Sequence, residues 1–305
     1  MSKHGKLQTT LEYLAARLVL SGLGLMPMRM AISAGQGLGT VAYRLAGNLR
    51  RTGERNLQLA FPEKTEEERQ EIVRGCFRSL GRQLGVFSKF AKSPIESLYE
   101  VFQITGLEHY EKLKAENKGV VFFTAHLGGW ELLPLCSSLR GNPLNVVVRR
   151  IDNPRVERIV DKIRTRWGNQ TLDKLSAGRQ MIKALRSGEA LGLLTDLNVV
   201  GEEAIYVDFF GVPAATNFMV AKLALRTKAP IMPMFAPWDE KRRKFDLQVS
   251  PPVTVELTGD EEADVLNLTA KLSRITEDKI RSYPDQWLWI HKRWKTRPPG
   301  EPSIY

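Results

Sequence analysis

The chain has 305 residues, 43% of them hydrophobic, enough for one large domain or two modest ones with a buried core, and too apolar for a disordered tail. Lys and Arg total 45 against 34 Asp and Glu, a formal net charge of +11, which favours an anionic partner such as nucleic acid, a phospholipid surface or an acidic protein. Only two cysteines occur, Cys76 and Cys136, both within apolar patterns; this argues against a disulfide framework, fits a reducing cytosolic environment and makes neither a candidate nucleophile.

The first elements are apolar. LVLSGLGLMPM (Leu18 to Met28) and MAISAGQGLGTVAY (Met30 to Tyr43) are uncharged and separated only by Arg29. Neither run reaches the roughly 20 successive apolar residues of a membrane-crossing helix. Pro27 bends any helix drawn through both, and no small-residue cleavage site marks a secretory signal. Residues 1–50 are therefore expected to form a retained membrane-associating helical segment, a kinked span or helices lying in the interface. Lys3, Lys6, Arg17, Arg44, Arg50 and Arg51 would sit near acidic headgroups. A buried helix pair of a soluble domain is the alternative.

After the turn signal at Pro62, acidic residues and then Ile72, Val73, Phe77, Leu80, Leu84 and Phe87 at helical spacing predict an amphipathic helix. Apolar, β-rich runs then alternate with helical ones: GVVFFTAH, a helix from about Trp130, NVVVRR, helices through PRVERIVDKIRTRWG and AGRQMIKALRSG, ALGLLTDL, a helix through NFMVAKLALRTK, PIMPMFAPW, and FDLQVSPPVTVE. A last helix is predicted over 262–282. Alternation of this kind predicts an α/β fold, a central, mainly parallel or mixed sheet flanked by helices. With no internal repeat or low-complexity linker, residues 51–305 read as one domain behind the N-terminal segment.

The stretch GVVFFTAHLGGWELLPL places His126 at the end of an apolar strand and Glu131 five positions later. On one helix those two would lie about 140° apart, so the spacing needs a loop, and Gly128 and Gly129 allow one. A crevice at the carboxyl end of a strand is where α/β sheets bind ligands. A carboxylate against one imidazole nitrogen raises the basicity of the other, which can then take a proton from a hydroxyl. Backbone N–H groups of Leu127 to Trp130, at the start of the following helix, are candidate oxyanion donors. A structural loop histidine, with Glu131 complementing a helix dipole, explains the same residues.

Six blocks in order carry a resemblance: RNLQLAFPEKTEEERQEIVRGCFRSLG, AHLGGWELL, VVVRRIDNP, MIKALRSGEALGLLTD, DFFGVPAATNFMVAKLALRTKAPIMP and PDQWLWIHKRWKTRPPGEPSIY. From about Arg51 to Tyr305 the chain resembles the bacterial late acyltransferases of lipid A biosynthesis, related in their core to glycerolipid acyltransferases. The resemblance implies an enzyme at the cytoplasmic face of the inner membrane, associated with its phospholipids. It would move a fatty acyl chain from acyl carrier protein, as co-substrate, to a hydroxyl of a lipid A precursor, with no other cofactor and no metal. It implies His126 as general base and Glu131 as its partner, without an acyl-enzyme. Arg149, Arg166, Asp196, Gly128 and Gly129 would line the substrate site, the arginines suited to phosphate. Leu197 departs from the glutamine or histidine expected there. Gly211 to Thr216 reads as a loop against the site or a tight turn into a helix, Asn153 as the cap of the helix at Pro154, and Trp287 and Trp289 as core on a strand face.

The four histidines, His4, His109, His126 and His291, lack zinc spacing. The rival readings are a nucleic-acid-binding protein, which the basic charge suits but for which no motif or interleaved aromatics speak, and an acyltransferase of the same fold acting on another membrane glycolipid or aminolipid.

Overall fold

Pro27, with its fixed φ and missing N–H, closes one helix and opens the next. In the computed structural model, which describes residues 5–174 and 176–305, α1 (Lys6–Leu25) and α2 (Met28–Leu45) meet at that proline. Lys3 and His4 lie outside the described residues. α3 (Gly47–Ala60) follows, so the expected boundary at 50/51 falls within a helix. α4 (Glu66–Lys89) opens on a capping box, in which Thr65 Oγ1 accepts from the Glu68 N–H and the Glu68 carboxylate accepts from the Thr65 N–H. Two otherwise orphaned donors are satisfied.

α2 lies on α4 through small residues one turn apart. Ala31, Gly35 and Gly39 face Gly85, Gly81 and Phe77, and a Cβ placed on Gly35 would stand 2.1 Å from the Gly81 carbonyl oxygen. The opposite consequence is an apolar exterior. Leu7, Leu11, Leu14, Leu18 and Leu25 of α1 are exposed, and at 100° per residue they occupy about 60° of the helix circumference. Met30, Leu38, Val41 and Leu45 are exposed along α2. Among the described residues, no helix is long and apolar enough to cross a membrane.

The main sheet has the order β1 (Phe102–Thr105), β10 (Lys244–Val249), β8 (Ile231–Phe235), β2 (Val120–Thr124), β5 (Ala190–Leu194), β3 (Asn145–Val148), β4 (Gln170–Asp173), with β9 (Trp238–Asp239) on β10. Strands β8, β2, β5, β3 and β4 are mutually parallel, and β10 is antiparallel to β8. Every residue of β2 is buried, Val121 and Phe123 in one apolar cluster and Val120 and Phe122 in the other. A strand covered on both faces has no polar alternation. One face carries α9 (Gly178–Arg186), α10 (Met219–Thr227) and α11 (Glu261–Ser282); the other packs against buried residues of α4, α5 (Ile95–Leu98), α6 (Leu107–Ala115), α7 (Leu133–Leu139) and α8 (Pro154–Arg164). The mainly parallel α/β sheet expected from the alternation is present.

Several elements depart from the sequence reading. β1 and β4 are four-residue edge strands with mixed polar sequences, FQIT and QTLD, too short and too exposed for a periodic signal. The predicted strand through Pro251 and Pro252 ends with β10 at Val249, since proline cannot donate to a ladder. Residues 211–216 are no loop before a helix: β6 (Ala204–Phe209) and β7 (Val212–Asn217) form a hairpin turning on Phe210 and Gly211, both at positive φ. Phenylalanine at the first such position hid the turn, where Asn or Gly is usual. Trp287 and Trp289 are fully buried as expected, but on a looped tail after a 3₁₀ turn at 284–286, not on a strand face.

Candidate active site

β2 and β5 are parallel neighbours with Thr124 opposite Leu194. His126 and Asp196 stand two positions beyond those paired ends, so the register sets them side by side at the carboxyl edge of the sheet. His126 Nδ1 donates to Asp196 Oδ1 at 2.9 Å, and the His126 backbone N–H donates to Oδ2 at 2.8 Å. Trp287 Nε1 also donates to Oδ2, at 2.7 Å. The Asp196 side chain is fully buried, whereas 20% of the His126 side chain is exposed. Burial alone would raise the Asp196 carboxyl; the imidazole, the His126 amide and the indole together hold it below the ordinary carboxylate value. A carboxylate so held fixes the proton on Nδ1 and leaves Nε2 as the basic nitrogen.

The partner predicted for His126 was Glu131, and the structure corrects this. The chain after Gly128 forms a turn, and α7 begins only at Leu133. Glu131 is thereby directed to the end of α8, where Arg164 Nε and Nη2 grip its carboxylate at 2.9 and 2.5 Å. Gly128, at φ +61°, is needed because a Cβ would lie 2.1 Å from the Ala236 oxygen. The amides of Gly128 and Gly129 donate to Gln286 and Ala236 carbonyls at 2.9 and 2.7 Å. These glycines seat the loop on the sheet and the tail, so they present no free amide to a substrate.

His126, Glu131 and Arg164 line one cavity of about 390 Å³. Val147, Met181, Leu193 and Met219 give it an apolar wall. Arg149 and Lys174 also line it, Arg149 being 79% exposed and paired only loosely with Asp152 at 3.8 Å. Arg166 is not part of it: its guanidinium donates to the Phe90 carbonyl at 2.8 Å and lies over the Trp167 ring. α8 ends at Arg164 and Arg166 lies in the turn beyond it, directed to Phe90, so Arg164 faces the cavity instead. Asn153 caps α8 as expected, accepting from Arg155 and Val156 N–H, and its amide reaches α1 at the Thr9 carbonyl and Glu12.

The tail locks the site from behind. Leu288 N–H donates to the His126 carbonyl at 3.0 Å, and Asn56 of α3 donates to the Trp289 and His291 carbonyls at 2.6 and 2.7 Å. Arg293, buried and lowered by desolvation to about 10 despite the pull of Asp196, forks onto the Ala215 carbonyl and Thr216 Oγ1. Lys174, Arg164 and His291 are cavity residues that pattern reasoning did not single out; only the family tail block pointed at His291.

A base open to a cavity that is greasy on one wall and cationic on another suits proton removal from a hydroxyl beside a long apolar chain. The sequence model of a family described as bacterial lipid A biosynthesis acyltransferase matches residues 2–296. The lipid A biosynthesis myristoyltransferase of Escherichia coli (strain K12) is 27% identical over 288 residues, covering 94% of this chain and 87% of the relative. The lauroyltransferase of the same organism is 28% identical over 288 residues, with 92% and 90% covered. Its palmitoleoyltransferase is 26% identical over 308 residues, with 96% and 97% covered. A match of this extent takes in the sheet edge, the cavity walls and the tail alike: the chain belongs to the bacterial lipid A biosynthesis acyltransferase family and is an acyltransferase.

Proposed function

We propose that this enzyme transfers a fatty acyl group from the thioester of acyl carrier protein to a hydroxyl of a lipid A precursor, at the cytoplasmic face of the inner membrane. The observation that carries the reading is the Asp196-held imidazole of His126, opening on a cavity with both an apolar wall and basic residues. His126 Nε2 takes the proton of the acceptor hydroxyl as its oxygen attacks the thioester carbonyl. Asp196 fixes the tautomer and stabilises the imidazolium that forms. Glu131 holds the Arg164 fork against the same cavity, where phosphate of either substrate would meet Arg164, Arg149 and Lys174. No protein nucleophile takes part: Cys76 and Cys136 are buried, and burial pushes the Cys76 thiol up to about 12.

Two surface features support the partners. On α9, Arg179, Lys183 and Arg186 are exposed at i, i+4 and i+7, a basic ridge suited to an acidic carrier protein. The leucine stripe of α1 lies with α8 across the sheet from that ridge and suits a helix resting in a lipid interface. The test is one reconstitution. Enzyme, acyl carrier protein bearing an acyl thioester, and lipid A precursor in anionic vesicles should yield precursor heavier by one acyl group. No acylated protein should accumulate, and Leu7, Leu11, Leu14 and Leu18 changed together to Ser should release the enzyme from the vesicles. Acylation of a different glycolipid or aminolipid in preference to the precursor would refute the acceptor, a covalent acyl-enzyme would refute direct attack, and vesicle binding unaffected by the serines would refute the interface.

A further inference from the structure

Attack on a thioester puts negative charge on the carbonyl oxygen, and a donor aimed at that oxygen is commonly the largest single catalytic contribution. In the loop after β2, where sequence reasoning placed that donor, the amides of Leu127, Gly128, Gly129 and Glu131 are already committed, which among the described residues leaves only the Trp130 N–H without a protein acceptor. The N–H groups of Leu127, Gly128 and Gly129 donate to the carbonyls of Ala125, Gln286 and Ala236 at 2.7, 2.9 and 2.7 Å. The Glu131 N–H donates to the Gln83 side-chain oxygen at 3.1 Å. There is also no helix N-terminus at Trp130, since α7 begins at Leu133.

The same cavity is lined by a second imidazole, His291. Its Nε2 accepts the Asn198 backbone N–H at 3.3 Å, which leaves the ring proton on Nδ1. Among the described residues no acceptor meets that Nδ1–H. Partial burial, with His126, Arg293 and Lys295 adding to it against the pull of Asp196, holds this imidazole below its ordinary value and therefore neutral near pH 7. The ring is also fixed in place. Asn56 holds the His291 carbonyl at 2.7 Å, and the Asn198 side chain exchanges two hydrogen bonds with Thr296, at 3.0 and 2.9 Å.

The geometry points to His291 as the oxyanion donor: its Nδ1–H hydrogen-bonds the thioester carbonyl oxygen while His126 activates the hydroxyl. This rests on the acyl-transfer reading above. The acceptor oxygen bonds the carbonyl carbon, and its proton passes to His126 Nε2. The carbonyl π pair moves to the oxygen facing His291. Collapse re-forms the carbonyl and breaks the C–S bond, and the departing thiolate takes the proton from His126. His291 neither gains nor loses a proton.

The experiment compares His291→Phe and His291→Gln with the parent enzyme, using the acyl thioester donor and its dithioester analogue, whose C=S accepts hydrogen bonds poorly. His291→Phe should lower kcat by about 10²–10³-fold with KM little changed. His291→Gln, which offers both an acceptor for Asn198 and an N–H donor, should recover part of the loss. The parent should discriminate strongly against the dithioester, and His291→Phe should not. A kcat within a few-fold of the parent for His291→Phe, or undiminished discrimination alongside a lowered kcat, would overturn the assignment; the second result would mean that His291 acts only by holding the Asn198 loop. Should His291→Phe fail to fold, the dithioester ratio of His291→Ala, which has no side-chain donor, decides: it falls if the imidazole was the donor and stays if it was not. Full activity of His126→Ala in the same assay would instead refute the acyl-transfer mechanism itself.

Discussion

Asp196→Asn is expected to lower turnover by about 10³-fold. The carboxylate accepts three hydrogen bonds, from the His126 amide, His126 Nδ1 and Trp287 Nε1. An amide has one acceptor oxygen, so its NH₂ must face either the imidazole or the indole. Facing His126, it demands that Nδ1 lose its proton, and Nε2 then carries the proton that the base must be free of. Facing Trp287, it leaves two donors opposed in a fully buried site, at about 1–3 kcal/mol. Either way the base is lost or misplaced, while the cavity walls and the KM for donor are little altered. Steady-state kinetics with an acyl thioester read this directly. The acid side of stability changes too. Because the folded Asp196 carboxyl lies below its ordinary value, its contribution is present above roughly pH 4 and is lost as pH falls through the lower folded value. The Asn variant lacks that contribution at neutral pH, and its stability should fall less steeply on acidification.

The second large effect is on folding. Gly81→Val should destabilise the protein by about 3 kcal/mol or more, because a Cβ there would stand 2.0 Å from the Gly35 carbonyl oxygen. Backbone rather than a flexible side chain blocks the new atom, so α2 must lift off α4, taking the contacts of Ala31 and Gly39 with it. A melting temperature lower by at least roughly 6 °C is the expected readout. Gly37→Ala in the same α2 is the control. Its Cβ meets nothing within 4 Å and its φ is helical, so the gain in helix propensity should raise stability by about 0.5–1 kcal/mol. Stability of Gly81→Val equal to that of the parent would mean that close approach does not govern this pair, and loss of stability in Gly37→Ala would contradict the control.

These contrasts also show what a single sequence makes legible. The α/β order, the capped helices α4, α8 and α11, and His126 at a strand end all rest on local patterns that survive folding. The partner of His126 does not. Glu131 is near in sequence and Asp196 is 70 residues away, and only the adjacency of β2 and β5 brings the latter into contact. Local spacing contains no strand order, so the carboxylate closer along the chain looked like the partner. Arg164 closes α8 and Arg166 lies in the turn beyond it, a boundary that the motif RTRW leaves open. His291 was hidden for another reason: its importance lies in the Asn198 amide that sets its tautomer, and nothing in WIHKR announces that bond.

The central claim is that Asp196 holds His126 with its proton on Nδ1 and its Nε2 free to take one. Nitrogen-15 spectra of the full chain labelled at histidine, with His126→Gln to assign the signal, measure that state directly. Near neutral pH the account predicts a protonated Nδ1 and an unprotonated Nε2 for His126, a preference that disappears in Asp196→Asn. A proton on Nε2 in the parent enzyme, or a tautomer indifferent to Asp196→Asn, would contradict it.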